Sequence, residues 1–313
     1  MSMTFKEVAE MYVQQPTKKF ARKQKHCLQI VEKICARLGD QPISKFERKR
    51  PVLEYITSVR NQPSMRRVGQ LVSNGYVNSH IVFLRAILVF ARDELEIIDR
   101  VPLIKTLSEK KRDTYLTPEQ VRNLMRWLDE LRADMVEFAV NTGLRNSNVR
   151  LLKWSELADD FSALHVKAED SKNGEPTAIP LNKDAQRVLK RRHAKRLYLE
   201  DRYPYLKGKV DHVFAKECRR RSANGKPYAD CKAISGTRWR EACRNAGLPD
   251  DVVFHTLRHT FASWHLQSGT SESTLQELGN WQSERSMKRY GHLSMKFKKD
   301  AAANISGLLR STL

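Results

Sequence analysis

Imidazole, guanidinium and phenol groups gather within residues 255–290, in the segments His255-Thr-Leu-Arg258-His259, Leu278-Gly279-Asn280-Trp281 and Lys288-Arg289-Tyr290-Gly291-His292. A guanidinium donates a fork of hydrogen bonds to phosphate or carboxylate oxygens. An imidazole moves protons near neutral pH, and a phenol can act as a nucleophile. His255 and Arg258 stand at i and i+3 of a helical pattern, so they share a face. Tyr290 falls near the end of a helix that Ser283 opens and Gly291 closes. His259 lies off that reactive stripe and reads as a core residue; His265 reads as surface, and His292 is left outside the site.

The elements that must position these groups lie upstream. Arg145 follows Thr142-Gly143-Leu144, where Gly143 supplies the positive φ of a helix end and the next helix begins. Backbone N–H groups at such a helix start favour an anion. Residues 161–181 read as two short strands around the turn signal Asn173-Gly174, which puts Lys172 at the hairpin tip with Lys167 close by. Thr117, Pro118 and Gln120 form a capping box with proline at the first helical position. The helix after it is read from Asp134 to Asn141. Residues 183–199 form a very basic helix with Ala185, Val188 and Leu189 inward.

Residues 1–105 read as a separate helical domain. Apolar residues at 27, 30, 31, 34, 35 and 38 keep a 3.6-residue period closed by Gly39. Val77 to Leu95 repeats the pattern, with Asn78 as its expected N-cap. Residues 106–114, polar and basic, are the expected linker. Basic clusters interrupt these helices at Lys18, Lys19, Arg22 and Lys23, at Arg48 to Arg50, and at Arg66 and Arg67. Their recurrence around one small domain points to a phosphate-contacting surface.

The whole composition agrees. Lys and Arg number 57 against 36 Asp and Glu, a net charge of +21, which favours a polyanionic partner, nucleic acid first. Hydrophobic residues make up 40% of the 313 residues, enough for two cores. Five cysteines with no CxxC pair fit reduced thiols, and Cys218, Cys231 and Cys243 match no usual zinc spacing. No run approaches the ~20 apolar residues of a membrane span, and no signal core opens the chain. The expectation is a cytoplasmic, DNA-associated protein.

In these motifs the chain resembles the tyrosine site-specific recombinases of the phage-integrase type. The family pattern is an Arg after Thr-Gly-Leu, a Lys on a β-hairpin, His-x-x-Arg, a His or Trp after Leu-Gly, and a Tyr nine residues further on. Arg145, Lys172, His255, Arg258, Trp281 and Tyr290 supply it in that order. Two departures stand out: Asn280 intervenes between Gly279 and Trp281, and Asn148 replaces the acid often found three residues after the first Arg.

The resemblance implies a mainly α fold with a small β-sheet. A helical core-binding domain (1–105) and a catalytic domain (115–293) would form a C-shaped clamp on DNA. A tail (294–313) would dock on a neighbouring protomer. It implies that Tyr290 attacks a DNA phosphodiester to form a 3′-phosphotyrosine. Arg145 and Arg258 would bind the non-bridging oxygens, Lys172 would protonate the leaving 5′-oxygen, and His255 would assist proton transfer. Trp281 would serve as hydrogen-bond donor and packing wall. No metal or other cofactor enters this scheme. The implied partners are duplex DNA with paired recombination sites, three further copies in a homotetramer on DNA, an accessory DNA-bending protein and a directionality factor. Integration or excision of a phage or other mobile element would be the task. A type IB topoisomerase-like enzyme, or a catalytically silent DNA-binding regulator on the same scaffold, is the alternative.

Overall fold

A computed structural model describes residues 3–15, 18–65, 69–109, 114–166, 176–217, 228–230 and 236–281; for 18–26, 216–217 and 228–230 it describes the backbone alone. The chain divides into two compact units, Met1–Lys111 and Arg112–Leu313. The architecture is mainly helical with small β elements, as expected.

In the first unit, α1 (Phe5–Gln14), α2 (Lys18–Leu38), α3 (Lys49–Arg60) and α4 (Asn74–Asp93) enclose one core. Phe5, Phe46, Ile34, Ile81, Leu84 and Leu88 are at its centre, each at most 2% exposed. The period of α2 and α4 is the one the sequence shows, but the start of α4 differs. Ser73 caps it, its hydroxyl accepting from the Tyr76 N–H at 3.3 Å. Asn78 is a buried mid-helix residue that bonds Leu107 instead. The first apolar residue, Val77, misplaced the start: a cap is set by the hydroxyl ahead of the helix, here one turn before the apolar stripe begins. Residues 106–109 are also not bare linker, since Leu107 packs on the core of this unit.

In the second unit, α5 (Pro118–Arg126) opens with the expected capping box, Thr117 and Gln120 bonding each other's backbone N–H. The next helix, α6 (Glu130–Thr142), starts a turn earlier than its apolar pattern because Asp129 caps it. It ends at Gly143, which has φ +64. The helix α7 (Asn146–Arg150) is only five residues long. Strands β1 (Ala163–Val166) and β2 (Thr177–Pro180) pair antiparallel, with Leu164 opposite Ile179 and both buried. Then come α8 (Lys183–Arg202), the antiparallel pair β3 (Ala215–Glu217) and β4 (Tyr228–Asp230), and α9 (Thr237–Asn245).

The centre of this unit is α10 (Phe254–Gln267), followed by α11 (Glu272–Leu278). It packs along α6, and every residue from Thr256 to Ser263 is buried. Polar residues inside such a helix need partners. Thr260 Oγ1 accepts from the Leu116 N–H at 3.0 Å, and the Trp264 indole N–H donates to the Leu116 carbonyl at 2.9 Å. These bonds stitch the segment before α5 onto α10. No helix among the described residues is long and apolar enough to cross a membrane.

Candidate active site

Three chain segments meet around Arg258. The first is the turn after α6. The Arg258 guanidinium is 3% exposed, and its Nη1 donates to the Gly143 carbonyl at 2.6 Å. That bond ties α10 to a point two residues before Arg145. Gly143 must be glycine on two counts: its φ is left-handed, and a Cβ there would lie 2.4 Å from the Phe261 ring. Arg145 itself is exposed, in extended backbone at the start of α7. A helix of five residues aligns few peptide dipoles, so the positive field at this turn rests on the guanidinium itself rather than on the helix start.

The second segment is the N-terminal turn of α10. His255 is exposed, one turn before Arg258 on the same face, as the spacing predicts. Its ring stands edge-on to that of His259 at 4.8 Å between centroids. His259 is buried, the structural role expected for it. His265, expected at the surface, is instead half-buried: it packs on Phe261 at 4.4 Å, bonds Thr270 Oγ1 at 3.0 Å, and burial lowers its pKa.

The third segment is the turn after α11. The Asn280 N–H bonds the Glu277 carbonyl and the Trp281 N–H bonds the Gln276 carbonyl, each at 3.0 Å, which closes the helix in a Schellman turn. The residue in the left-handed conformation is Asn280, with φ +47, while Gly279 has φ −90. Asparagine is the non-glycine residue best suited to that position. The intervening Asn280 is therefore not an insertion that displaces Trp281. It occupies the left-handed position immediately before it, and Gly279 has a separate job. A Cβ on Gly279 would fall 1.6 Å from the Trp281 ring, so only glycine leaves space for the indole.

That indole is the shelf of the site. Trp281 is 6% exposed, and the Arg258 guanidinium carbon lies 3.9 Å from its ring centroid. On the Phe261 side the two rings are nearly parallel, 22° apart with centroids at 6.3 Å. Trp281 and Arg258 are thus joined by a cation–π contact. The Gln276 side-chain amide donates to the Trp281 carbonyl at 2.9 Å and fixes the turn further.

The structure brings Arg258, Trp281 and the Gly143–Arg145 turn together, with His255 on the Arg258 face. Lys172, the alternative Lys167, and Tyr290 lie outside the described residues, as do Arg66, Arg67 and the tail 294–313. Lys18, Lys19, Arg22 and Lys23 fall on the N-terminal half of α2, where only the backbone is described. Sequence reasoning missed the supporting residues Gly143, Phe261, Gly279 and Asn280 in their contact roles. The two glycines were visible as helix stops, but the rings that need their space come from elsewhere in the chain.

The model of the phage integrase family matches residues 114–296. The integrase of Salmonella phage P22 is 32% identical over 239 residues, a match covering 75% of this chain and 58% of that protein's length. Among solved structures, the Tn1549 transposon integrase in complex with circular intermediate DNA aligns with a TM-score of 0.64 at 15% identity, covering 93% of this chain and 95% of that one. A lambda integrase dimer bound to a core site aligns with a TM-score of 0.64 at 19% identity, covering 91% and 92%. At such identities the structural likeness speaks for the fold.

Proposed function

Because the chain belongs to the phage integrase family, we propose that it is a site-specific DNA recombinase that cuts and rejoins strands through a covalent tyrosine–DNA intermediate. The observation that carries this reading is the fixed Arg258 guanidinium, held by the Gly143 carbonyl and the Trp281 ring beside the turn that bears Arg145. A guanidinium held in place before the reaction needs no reorganisation when charge develops on a phosphorane. Arg145 and Arg258 together can meet both non-bridging oxygens.

In the reaction, the Tyr290 phenol oxygen forms a bond to phosphorus and the P–O5′ bond breaks. The 5′-oxygen takes a proton from Lys172, and the phenol proton leaves through His255 or solvent. The phosphotyrosine conserves the bond for religation by the 5′-hydroxyl of the exchanged strand. Duplex DNA with paired sites, assembly as a homotetramer, helper proteins for bending and direction, and a mobile-element origin complete the proposal. Support for it comes from the family and from the named DNA complexes of related folds.

A nicked suicide duplex tests it. Wild-type protein is expected to accumulate a covalent DNA adduct that resists denaturant, and Tyr290→Phe to form none. An adduct with Tyr290→Phe would overturn the mechanism. A plasmid with two target sites then separates recombinant product from simple relaxation.

A further inference from the structure

Asn78 is an amide buried on the apolar side of α4, 8% exposed, and such a group is costly unless its hydrogen bonds are made. All are made to the chain that leaves the first unit. Oδ1 accepts from the Leu107 N–H at 2.7 Å, and Nδ2 donates to the Leu107 carbonyl at 2.9 Å and to Glu109 Oε1 at 2.7 Å. One turn earlier, Asn74 Nδ2 donates to the Ser108 carbonyl at 2.7 Å. Between them a Cβ on Gly75 would come within 3.1 Å of the Glu109 carboxylate, so the glycine gives that side chain its berth. Two asparagines one turn apart thus hold residues 107–109 along a helix, pairing backbone groups much as a neighbouring strand would.

The far side is fastened too. Thr114 Oγ1 donates to Asp251 Oδ2 at 3.1 Å, Tyr115 Oη accepts from Gln267 Nε2 at 3.0 Å, and Leu116 is bonded to Thr260 and Trp264. From Glu109 to Thr114 the chain has five peptide steps, at most about 17 Å when extended. Without the asparagines, Leu107 keeps only its half-buried side-chain contact, and the last buried anchor of the first unit is Ile104, 5% exposed. The span would then be ten steps, about 35 Å.

We propose that Asn74 and Asn78 are positioning residues: they halve the number of peptide steps between the last anchor of the first unit and the first anchor of the second, and thereby set how strongly the two grip one DNA duplex together. The proposal rests on the DNA-recombinase reading above. When two modules bind one target, the second binds at an effective concentration that falls roughly as the −3/2 power of tether length, so doubling the tether weakens joint binding by about threefold.

The test uses the full chain and a mixed-sequence DNA duplex at fixed salt. Asn74→Ala with Asn78→Ala releases the fastening. A second variant inserts about five Gly and Ser residues between Lys111 and Arg112, lengthening the tether while leaving α4 untouched. Both are expected to raise Kd by about threefold, while the cleavage rate on a saturated nicked duplex is unchanged. Trypsin is expected to cut faster after Lys105 in the asparagine variant and not in the insertion variant. If the insertion weakens binding and the asparagine variant does not, the asparagines do not set the tether. If only the asparagine variant weakens, its effect is damage to the fold. Either result overturns the proposal, as does no shift in either. No duplex binding by the wild type overturns the DNA reading itself, and this proposal with it.

Discussion

Two arginines of the second unit are almost equally buried, Arg258 at 3% exposed and Arg192 at 4%, yet the fold treats them in opposite ways. Arg192 lies on α8, where Nη2 donates to the Ala215 carbonyl at 2.7 Å and Nη1 stands 3.7 Å from Asp134 Oδ2. Arg191 beside it donates to the other Asp134 oxygen and to Glu137. Burial raises the Asp134 pKa, although both arginines lean the other way. Arg258 is set instead against a carbonyl oxygen and the face of an indole. A carbonyl dipole and a π face fix the direction of a guanidinium, and a carboxylate also offsets its charge. Burial alone does not identify a reactive arginine; the partner does. The first arrangement braces α8 on α6, and the second sets a guanidinium against the end of α6 and the Trp281 ring.

The sharpest way to break this contrast is Asp134→Ala. It strands a buried guanidinium, and the expected cost is about 3–5 kcal/mol of stability. The cleavage rate per folded molecule should hold. Urea unfolding beside single-turnover cleavage checks both, and a loss of rate with stability intact would place Asp134 in the chemistry. The converse variant, Arg258→Lys, keeps one charge but loses the fork that reaches the Gly143 carbonyl and a phosphate together. Cleavage of a nicked duplex should slow by about 10²–10³, with little change in Tm. A variant that melted early yet cleaved at the normal rate when folded would make the two arginines alike.

Little of this contrast was legible in the sequence. His-x-x-Arg put His255 and Arg258 on one face, and Gly143 marked the turn before Arg145, because those signals are local. The acceptor for Arg258 comes from a distant helix end, and the Trp281 ring finds its berth over Gly279 through a backbone turn that no periodicity reports. In α8 the inward stripe of Ala185, Val188 and Leu189 follows from the helical period, but Arg192 continues it, one turn beyond Val188. A basic residue in a very basic helix reads as solvated until its carboxylate is found, and Asp134 sits on another helix. Asn78 resembles a cap for a similar reason: its partners lie on the chain leaving α4, beyond the reach of a local pattern. The fold class was legible because helix periods are local; the supporting contacts were not, because they are tertiary.

A third buried base extends the comparison. Arginine cannot shed its proton, so the fold must supply a partner; His80 can, and does. It is 2% exposed, Nδ1 lies 2.7 Å from Tyr55 Oη, and burial, helped by Lys33 and Arg37, lowers its pKa to about 4. The unfolded chain takes up this proton below pH 6.5, the ordinary value, while the folded unit refuses it down to about 4. Stability from this residue is therefore whole above pH 6.5 and drains away as pH falls toward 4. The loss is on the order of 3 kcal/mol. Urea unfolding of the first unit between neutral pH and pH 4.5 should show it, and His80→Gln should flatten the slope. An unchanged slope in that variant would assign the acid lability to other groups.

The smallest change probes the shelf under Arg258. Gly279→Ala leaves every charged group in place and asks for no unusual backbone angle, since φ there is −90. What it adds is one methyl, 1.6 Å from the Trp281 ring. The ring must move, and it cannot move toward Phe261 without closing on a packed neighbour. The strain is that of an overfilled core, about 1–3 kcal/mol. Because the ring is in contact with the Arg258 guanidinium, part of that strain should appear in the reaction: cleavage slows by roughly tenfold, the rate equivalent of about 1.4 kcal/mol. Asn280→Gly makes the control. It relaxes the left-handed residue of the same turn without touching the ring, so the rate should stay within about twofold of the wild type. If Gly279→Ala lowers Tm but cleaves normally when folded, the indole merely fills space, and Arg258 is held by the Gly143 carbonyl without it.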